Sequence, residues 1–168
     1  MIKVLLAGLL LSYAPSDVLR LTKPSSLKNV ELIVDFSDRN NHNPYELLAV
    51  ASVESNFNHK AVSSAGAVGL FQVMCKFWYK RAGYRSIAGC ERGLARPKEN
   101  IAMGAKILTV MRKKYKQCRG DYAYRCYFAG PGWRKFKGKT AKQIIRYENK
   151  VRQRRNVLQN SYYRNLID

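Results

Sequence analysis

Apolar residues recur at helical spacing in five stretches of the chain, and no long alternating strand pattern is visible. Ser26 can cap the first stretch, a helix to about Arg39 with Val30, Ile33, Val34 and Ser37 on one stripe. A polar turn, Asn40-Asn41-His42-Asn43, leads into the second. There Asn43 is the N-cap, Pro44 takes the first helical position and Glu46 follows three residues after the cap. Leu47, Val50, Ala51 and Glu54 recur at offsets of three, four and seven, so Glu54 shares a face with residues that should be buried.

Residues 76–96 are irregular and basic, and Gly83, Gly89 and Gly93 interrupt them, which predicts loop with one short helix. Pro97 opens the expected central helix, along which Ile101, Ala105, Leu108, Met111 and Tyr115 keep helical spacing. Its end carries Arg112, Lys113, Lys114 and Lys116, which complement the helix dipole. Asp121 caps a short helix that stops at Gly130-Pro131-Gly132. Thr140 and Gln143 form a capping box for a last helix with Ile144, Tyr147, Val151 and Leu158 on one side. The pattern predicts an essentially all-α fold, and 168 residues suit one domain with a substantial core.

Charge changes the picture, because 31 Lys and Arg against 11 Asp and Glu give a formal net charge of +20. Such a field draws the protein to polyanions: cell-wall polymers, anionic membrane surfaces or nucleic acid. Residues 134–168 alone carry a formal +9. Tyr147, Tyr162 and Tyr163 lie among these cations and offer a base-stacking alternative, but no nucleic-acid motif accompanies them, so nucleic acid is not the expected primary ligand.

The first 14 residues combine Lys3, an apolar run from Val4 to Leu11 and Ser12-Tyr13-Ala14, which reads as a secretory signal. The run is far short of the ~20 residues that span a bilayer. Pro15 is a poor cleavage neighbour, so a retained short anchor or a buried terminal strand is the alternative. Cys75, Cys90, Cys118 and Cys126 are an even set, as suits an exported chain. Cys75 with Cys90 and Cys118 with Cys126 are the expected pairs because both close short loops, with buried free thiols as the competing reading. The only histidines, His42 and His59, flank the Glu54 helix and no Cys-x-x-Cys occurs, which argues against zinc.

Burial of a carboxyl raises its pKa toward the range a general acid needs, which makes Glu54 a candidate proton donor. A surface or salt-bridged structural glutamate is the bland alternative. Downstream, Gly66 and Gly69 punctuate a loop suited to floor a cleft. Asp121 and Glu99 read as helix-start residues rather than catalysts, which leaves Glu54 as the one well-placed carboxylate.

Glu54-Ser55, then Gly66-Ala67-Val68-Gly69-Leu70-Phe71-Gln72 followed by Val73-Met74, then Asn100-Ile101, then Tyr127-Phe128-Ala129-Gly130-Pro131-Gly132 and finally Arg146-Tyr147 stand in order along the chain. Over about residues 26 to 151 this series resembles the lysozyme-like catalytic domain of soluble lytic transglycosylases, in the small form associated with secretion, conjugation or phage assemblies. The resemblance implies a domain over 24–151, with 152–168 as a basic extension of the last helix. It implies cleavage of peptidoglycan glycan strands between N-acetylmuramic acid and N-acetylglucosamine, leaving 1,6-anhydro ends without cofactor or metal. By the same resemblance Glu54 is acid and then base, and Ser55 orients it or contacts substrate. Gln72 hydrogen-bonds in the cleft, Phe71 and Met74 shape its wall, Tyr127 sits close to the acid and Tyr147 joins the site. Core packing is the competing reading for Phe71 and Met74. Phe128 stands where this family usually has Asn, which removes an amide able to contact sugar or brace the cleft. A cell-envelope or periplasmic location follows, or a virion-associated one. A lysozyme-type hydrolase is the other enzymatic reading, and a non-catalytic wall- or nucleic-acid-binding part of such an assembly is the remaining alternative.

Overall fold

The computed structural model describes residues 24–164, so the expected secretory segment 1–14 and the last four residues of the basic extension lie outside the described residues. Helix α1 spans Pro24–Arg39 and α2 Pro44–Ser55. A short hairpin follows, β1 Ala67–Val68 with β2 Val73–Met74, antiparallel with Val68 opposite Val73. Next come α3 (Cys75–Trp78), α4 (Ile87–Leu94), α5 (Pro97–Lys114), a 3-10 turn at Lys116–Cys118, α6 (Tyr122–Ala129), a second 3-10 turn at Trp133–Lys135 and α7 (Gly138–Arg164). The fold is all-α, as the periodicity predicts. Among the described residues no helix is long and apolar enough to cross a membrane.

Helix α2 packs between α1 and α7, and this explains its composition. Glu46, Leu47, Leu48, Ala49, Val50 and Ala51 are consecutive and all buried, so the first two turns are enclosed on every side rather than along one stripe. Asn43 caps the helix, its side chain accepting from the Glu46 N–H at 3.3 Å. The Glu46 carboxylate does not return to the cap. It accepts from Arg112 on α5 and from the Tyr124 hydroxyl on α6, the latter at 2.7 Å. Arg155 on α7 reaches the same hydroxyl at 3.1 Å, so one polar knot joins four helices beside the core.

Several boundaries differ from the sequence expectation for local reasons. Helix α1 begins two residues before Ser26, at Pro24, a residue compatible with a helix's first turn. Helix α7 begins at Gly138, so Thr140 is already helical and is not an N-cap. Asp121 stands at the N-cap position of α6, yet its carboxylate bonds Arg155 at 2.7 Å and pairs with Arg152 at 3.2 Å. The irregular segment holds two short helices, because Ser86 caps α4 through the Gly89 N–H at 3.0 Å and Gly93 lets it pack against Tyr84.

Both local cysteine pairs are formed. Cys75–Cys90 closes 15 residues and ties α3 to α4, and Cys118–Cys126 closes 8 and ties the first 3-10 turn to α6. Along α7, Ile144, Tyr147, Val151 and Leu158 are buried, so the basic extension beyond residue 151 is packed at least as far as Leu158. Lys139, Lys142, Arg146, Lys150 and Arg152 are exposed on the same helix.

Candidate active site

Glu54 is the penultimate residue of α2, and the helix stops there because Asn56 and Phe57 adopt left-handed backbone, with φ of 54° and 58°. Phe57 returns to the core. The acid is thereby left, half-buried, at the open end of an enclosed helix. Ser55 does not bond the acid. Its hydroxyl lies 2.9 Å from the Leu70 carbonyl oxygen and 3.3 Å from that of Ala51, fastening the hairpin loop to the end of α2.

That loop, residues 69–72, is shaped from beneath by Asn100, a buried amide in the first turn of α5. Its Oδ1 accepts from the Phe71 N–H at 2.8 Å, and its Nδ2 lies 2.9 Å from the Val68 oxygen and 2.8 Å from that of Leu94. Gly69 has φ +75°, and a Cβ there would meet the Asn100 amide at 2.3 Å, so close approach and backbone conformation both require glycine. Gln72 takes φ 45°, and its Nε2 lies 3.0 Å from the Gly69 oxygen and 3.2 Å from that of Ala61. Half of its amide thus braces the loop rather than facing the cleft.

Phe71 corrects the expectation of a wall residue. Its side chain is 0% exposed and packs against Gly104 of α5, where any Cβ would come within 2.3 Å of the ring. Its backbone oxygen is the part near the site, accepting from the Tyr127 hydroxyl at 2.7 Å. Tyr147, from α7, donates its hydroxyl to Glu54 Oε1 at 2.5 Å.

Burial raises the Glu54 pKa to about 7, with the Tyr147 hydrogen bond pulling the other way. Tyr127 and Tyr147 are both pushed well above the ordinary phenol range, by burial and then by the Glu54 charge, so they remain protonated donors. Glu46, Glu148, Asp121, Glu99 and Asp35 are each tied to arginine. Glu54 has a phenol instead, with no ion-pair partner among the described residues, which is why it keeps a proton near neutrality.

Beside the acid lies a cavity of about 740 Å³, whose lining includes Gln72, Met74, Trp78, Tyr127, Phe128 and Phe136. Glu54 itself does not line it. Gln72, Tyr127 and Phe128 connect the two: Gln72 through the loop held by Ser55, Tyr127 through its interaction with the Glu54 charge, Phe128 by stacking on Tyr147. Of the residues expected at the site, Glu54 and Tyr147 are bonded to each other, Gln72, Met74 and Tyr127 line the adjoining cavity, Ser55 fastens the loop, and Phe71 contributes its backbone oxygen while its side chain lies in the core. Sequence reasoning missed Asn100 as the loop's organiser, although a buried polar residue at the start of an apolar helix is a readable signal. It also missed Phe77, Trp78 and Phe136, aromatics in basic segments that line the same cavity. Among the described residues no group of three or more His, Cys, Asp or Glu comes together that could hold a metal ion.

A family model, the transglycosylase SLT domain, matches residues 31–160. Among solved structures, the 70 kDa soluble lytic transglycosylase SLT70 from Escherichia coli is similar, with a TM-score of 0.59 and 21% identity. The match covers 77% of this chain and 24% of that one, and it shows the same lysozyme-like helical fold. An inactive mutant of the lytic transglycosylase Slt from Pseudomonas aeruginosa is also similar, with a TM-score of 0.49, 25% identity, and coverage of 77% of this chain and 22% of that one. The chain spans about a quarter of the length of these proteins.

Proposed function

The chain belongs to the transglycosylase SLT domain family, and from that premise we propose that it is a lytic transglycosylase that cleaves peptidoglycan glycan strands, with Glu54 as its acid and base. One observation carries the reading. A half-buried carboxyl, with a pKa near 7 and, among the described residues, a neutral phenol as its hydrogen-bond partner, adjoins a cavity of about 740 Å³ through Gln72, Tyr127 and Phe128.

In this reaction Glu54 gives its proton to the glycosidic oxygen as the bond from the muramic acid C1 to that oxygen breaks. The acetamido oxygen of the same sugar stabilises C1, the task that a second carboxylate performs in many glycosidases. The sugar's C6 hydroxyl then attacks C1, and its proton passes to the Glu54 carboxylate. A 1,6-anhydro end results and the acid is restored without water being consumed. Tyr147 holds the carboxyl oxygen that does not carry the proton, and Tyr127 braces the loop through Phe71. Met74 and Gln72 border the groove in which the glycan lies, and residues 24–151 carry the catalytic unit.

Export to the periplasm or cell envelope is part of the proposal, supported by the nature of the substrate and by the apolar run 4–11. The exposed cations of α7 suit adsorption to an anionic envelope surface, which should weaken with added salt. Action within a secretion, conjugation or virion assembly fits local opening of the wall. The burial of Tyr147 against Glu54 counts against a base-stacking role for that residue.

Mass spectrometry of purified peptidoglycan after incubation with the protein tests the reading. Anhydro-muramyl ends support it. Reducing ends would make the protein a hydrolase, and an undigested polymer would leave a binding protein.

A further inference from the structure

Phe128 has no role in the chemistry above, yet it stands between the groove and the acid's hydrogen-bond partner. It lies on α6 directly after Tyr127 and two residues after Cys126, whose disulfide fixes the helix to the preceding turn. Its ring stacks on that of Tyr147, with centroids 4.8 Å apart and planes inclined at 26°. Tyr147 is 7% exposed and Phe128 is 48% exposed, so Phe128 covers the tyrosine and presents its remaining surface to the cavity it lines.

A phenol hydroxyl lies close to the axis of its ring, so spinning the ring barely moves it. Tilting or swinging the ring does. Among the described residues the Tyr147 hydroxyl bonds only Glu54, which leaves packing to set the tilt. Val151 and Ile144 bury neighbouring positions of α7, and the stacked Phe128 ring supplies a flat, oriented contact. An asparagine at this position, the residue the family resemblance leads one to expect, has no aromatic face with which to do this.

We propose that Phe128 is a positioning residue that acts through Tyr147, its stacked ring holding the Tyr147 hydroxyl on Glu54. The inference rests on Glu54 being the working acid. Among the described residues the titratable groups facing Glu54 are Tyr147 from α7 and Tyr127 from α6, and both stay protonated throughout its titration. A perturbation at Phe128 therefore reaches the carboxyl through Tyr147 geometry and not through a new charge.

The test is a carbon-13 NMR titration of the Glu54 carboxyl in the full chain and in Phe128→Leu, Tyr147→Phe and the double variant. Phe128→Leu is expected to move the Glu54 midpoint by about half a unit or more, the size of a contact-level coupling. In the Tyr147→Phe background the same substitution is expected to leave the midpoint in place, and Phe128→Trp should retain the original value. An equal shift in both backgrounds, or no shift in either, overturns the assignment. With peptidoglycan, Phe128→Leu should lower kcat on the order of tenfold, as a misplaced acid does, with KM nearly unchanged. A raised KM at unchanged kcat would make Phe128 a sugar contact and also overturn it. The titration needs no substrate, so it decides the role of Phe128 even where cleavage of peptidoglycan fails.

Discussion

Tyr147 donates to Glu54 at 2.5 Å across 93 residues of sequence, joining the last helix to the end of the second. Eight residues earlier on the same helix, Glu46 is met by Arg112, Tyr124 and the charge of Arg155. Burial pushes both carboxyls up, but the cations beside Glu46 outweigh it and bring its pKa below the ordinary value. One helix thus carries a permanently charged structural acid and a proton-bearing one, separated by partner chemistry.

The rate should report that proton. Because the free enzyme must present Glu54 protonated, kcat/KM should fall about tenfold per pH unit above about 7. Initial rates on soluble peptidoglycan fragments between pH 5 and 9 provide the check, and a flat profile through pH 8 would count against a neutral acid.

Stability should run the same way. Between the ordinary value of 4.5 and about 7 the folded protein keeps a proton that the unfolded chain releases, so stability drops as pH rises through that window. Glu54→Gln removes the ionisation and should stabilise the protein at pH 8 by about 2–3 kcal/mol, with little effect at pH 4. Denaturant midpoints of the two proteins at both pH values measure it.

Glu46→Gln should do the opposite. A lowered pKa contributes stability above the unfolded value, and that contribution is lost as pH falls through the folded one. Arg112 is partly open to solvent, so the loss at pH 7 should be about 2–3 kcal/mol, below that of a fully buried pair. The difference from wild type should shrink at the acid end of a denaturant series.

Gly104→Ala should destabilise by about 1–3 kcal/mol through overpacking, despite alanine's better helix propensity, because the new Cβ meets the Phe71 ring. Pushing Phe71 displaces the oxygen that accepts from Tyr127, so activity should fall as well. Adding Phe71→Leu should restore part of the thermal midpoint, and no restoration would mean that the clash is relieved elsewhere.

Much of this was legible in the chain. The Asn43-Pro44 start of α2, the apolar spacing of α5 and α7 and the stop at Gly130 are local signals, and local physics settles them. Both disulfides close loops short enough to be expected from spacing. For Phe71 the sequence leaves cleft wall and core packing both open, because its burial depends on Gly104, 33 residues away, and the bracing role of the Gln72 amide depends on a positive φ that glutamine does not advertise. Asp121 likewise looked like a cap until Arg152 and Arg155 came round on α7 to take its carboxylate. Tertiary partners decided each of these.

Turnover of peptidoglycan by Glu54→Gln, compared with wild type at pH 6, reaches the central claim most directly. The amide keeps the shape and still accepts from Tyr147, so the variant should fold normally and release no measurable anhydro-muramyl fragments. Cleavage at the wild-type rate by a properly folded Glu54→Gln protein would contradict the account.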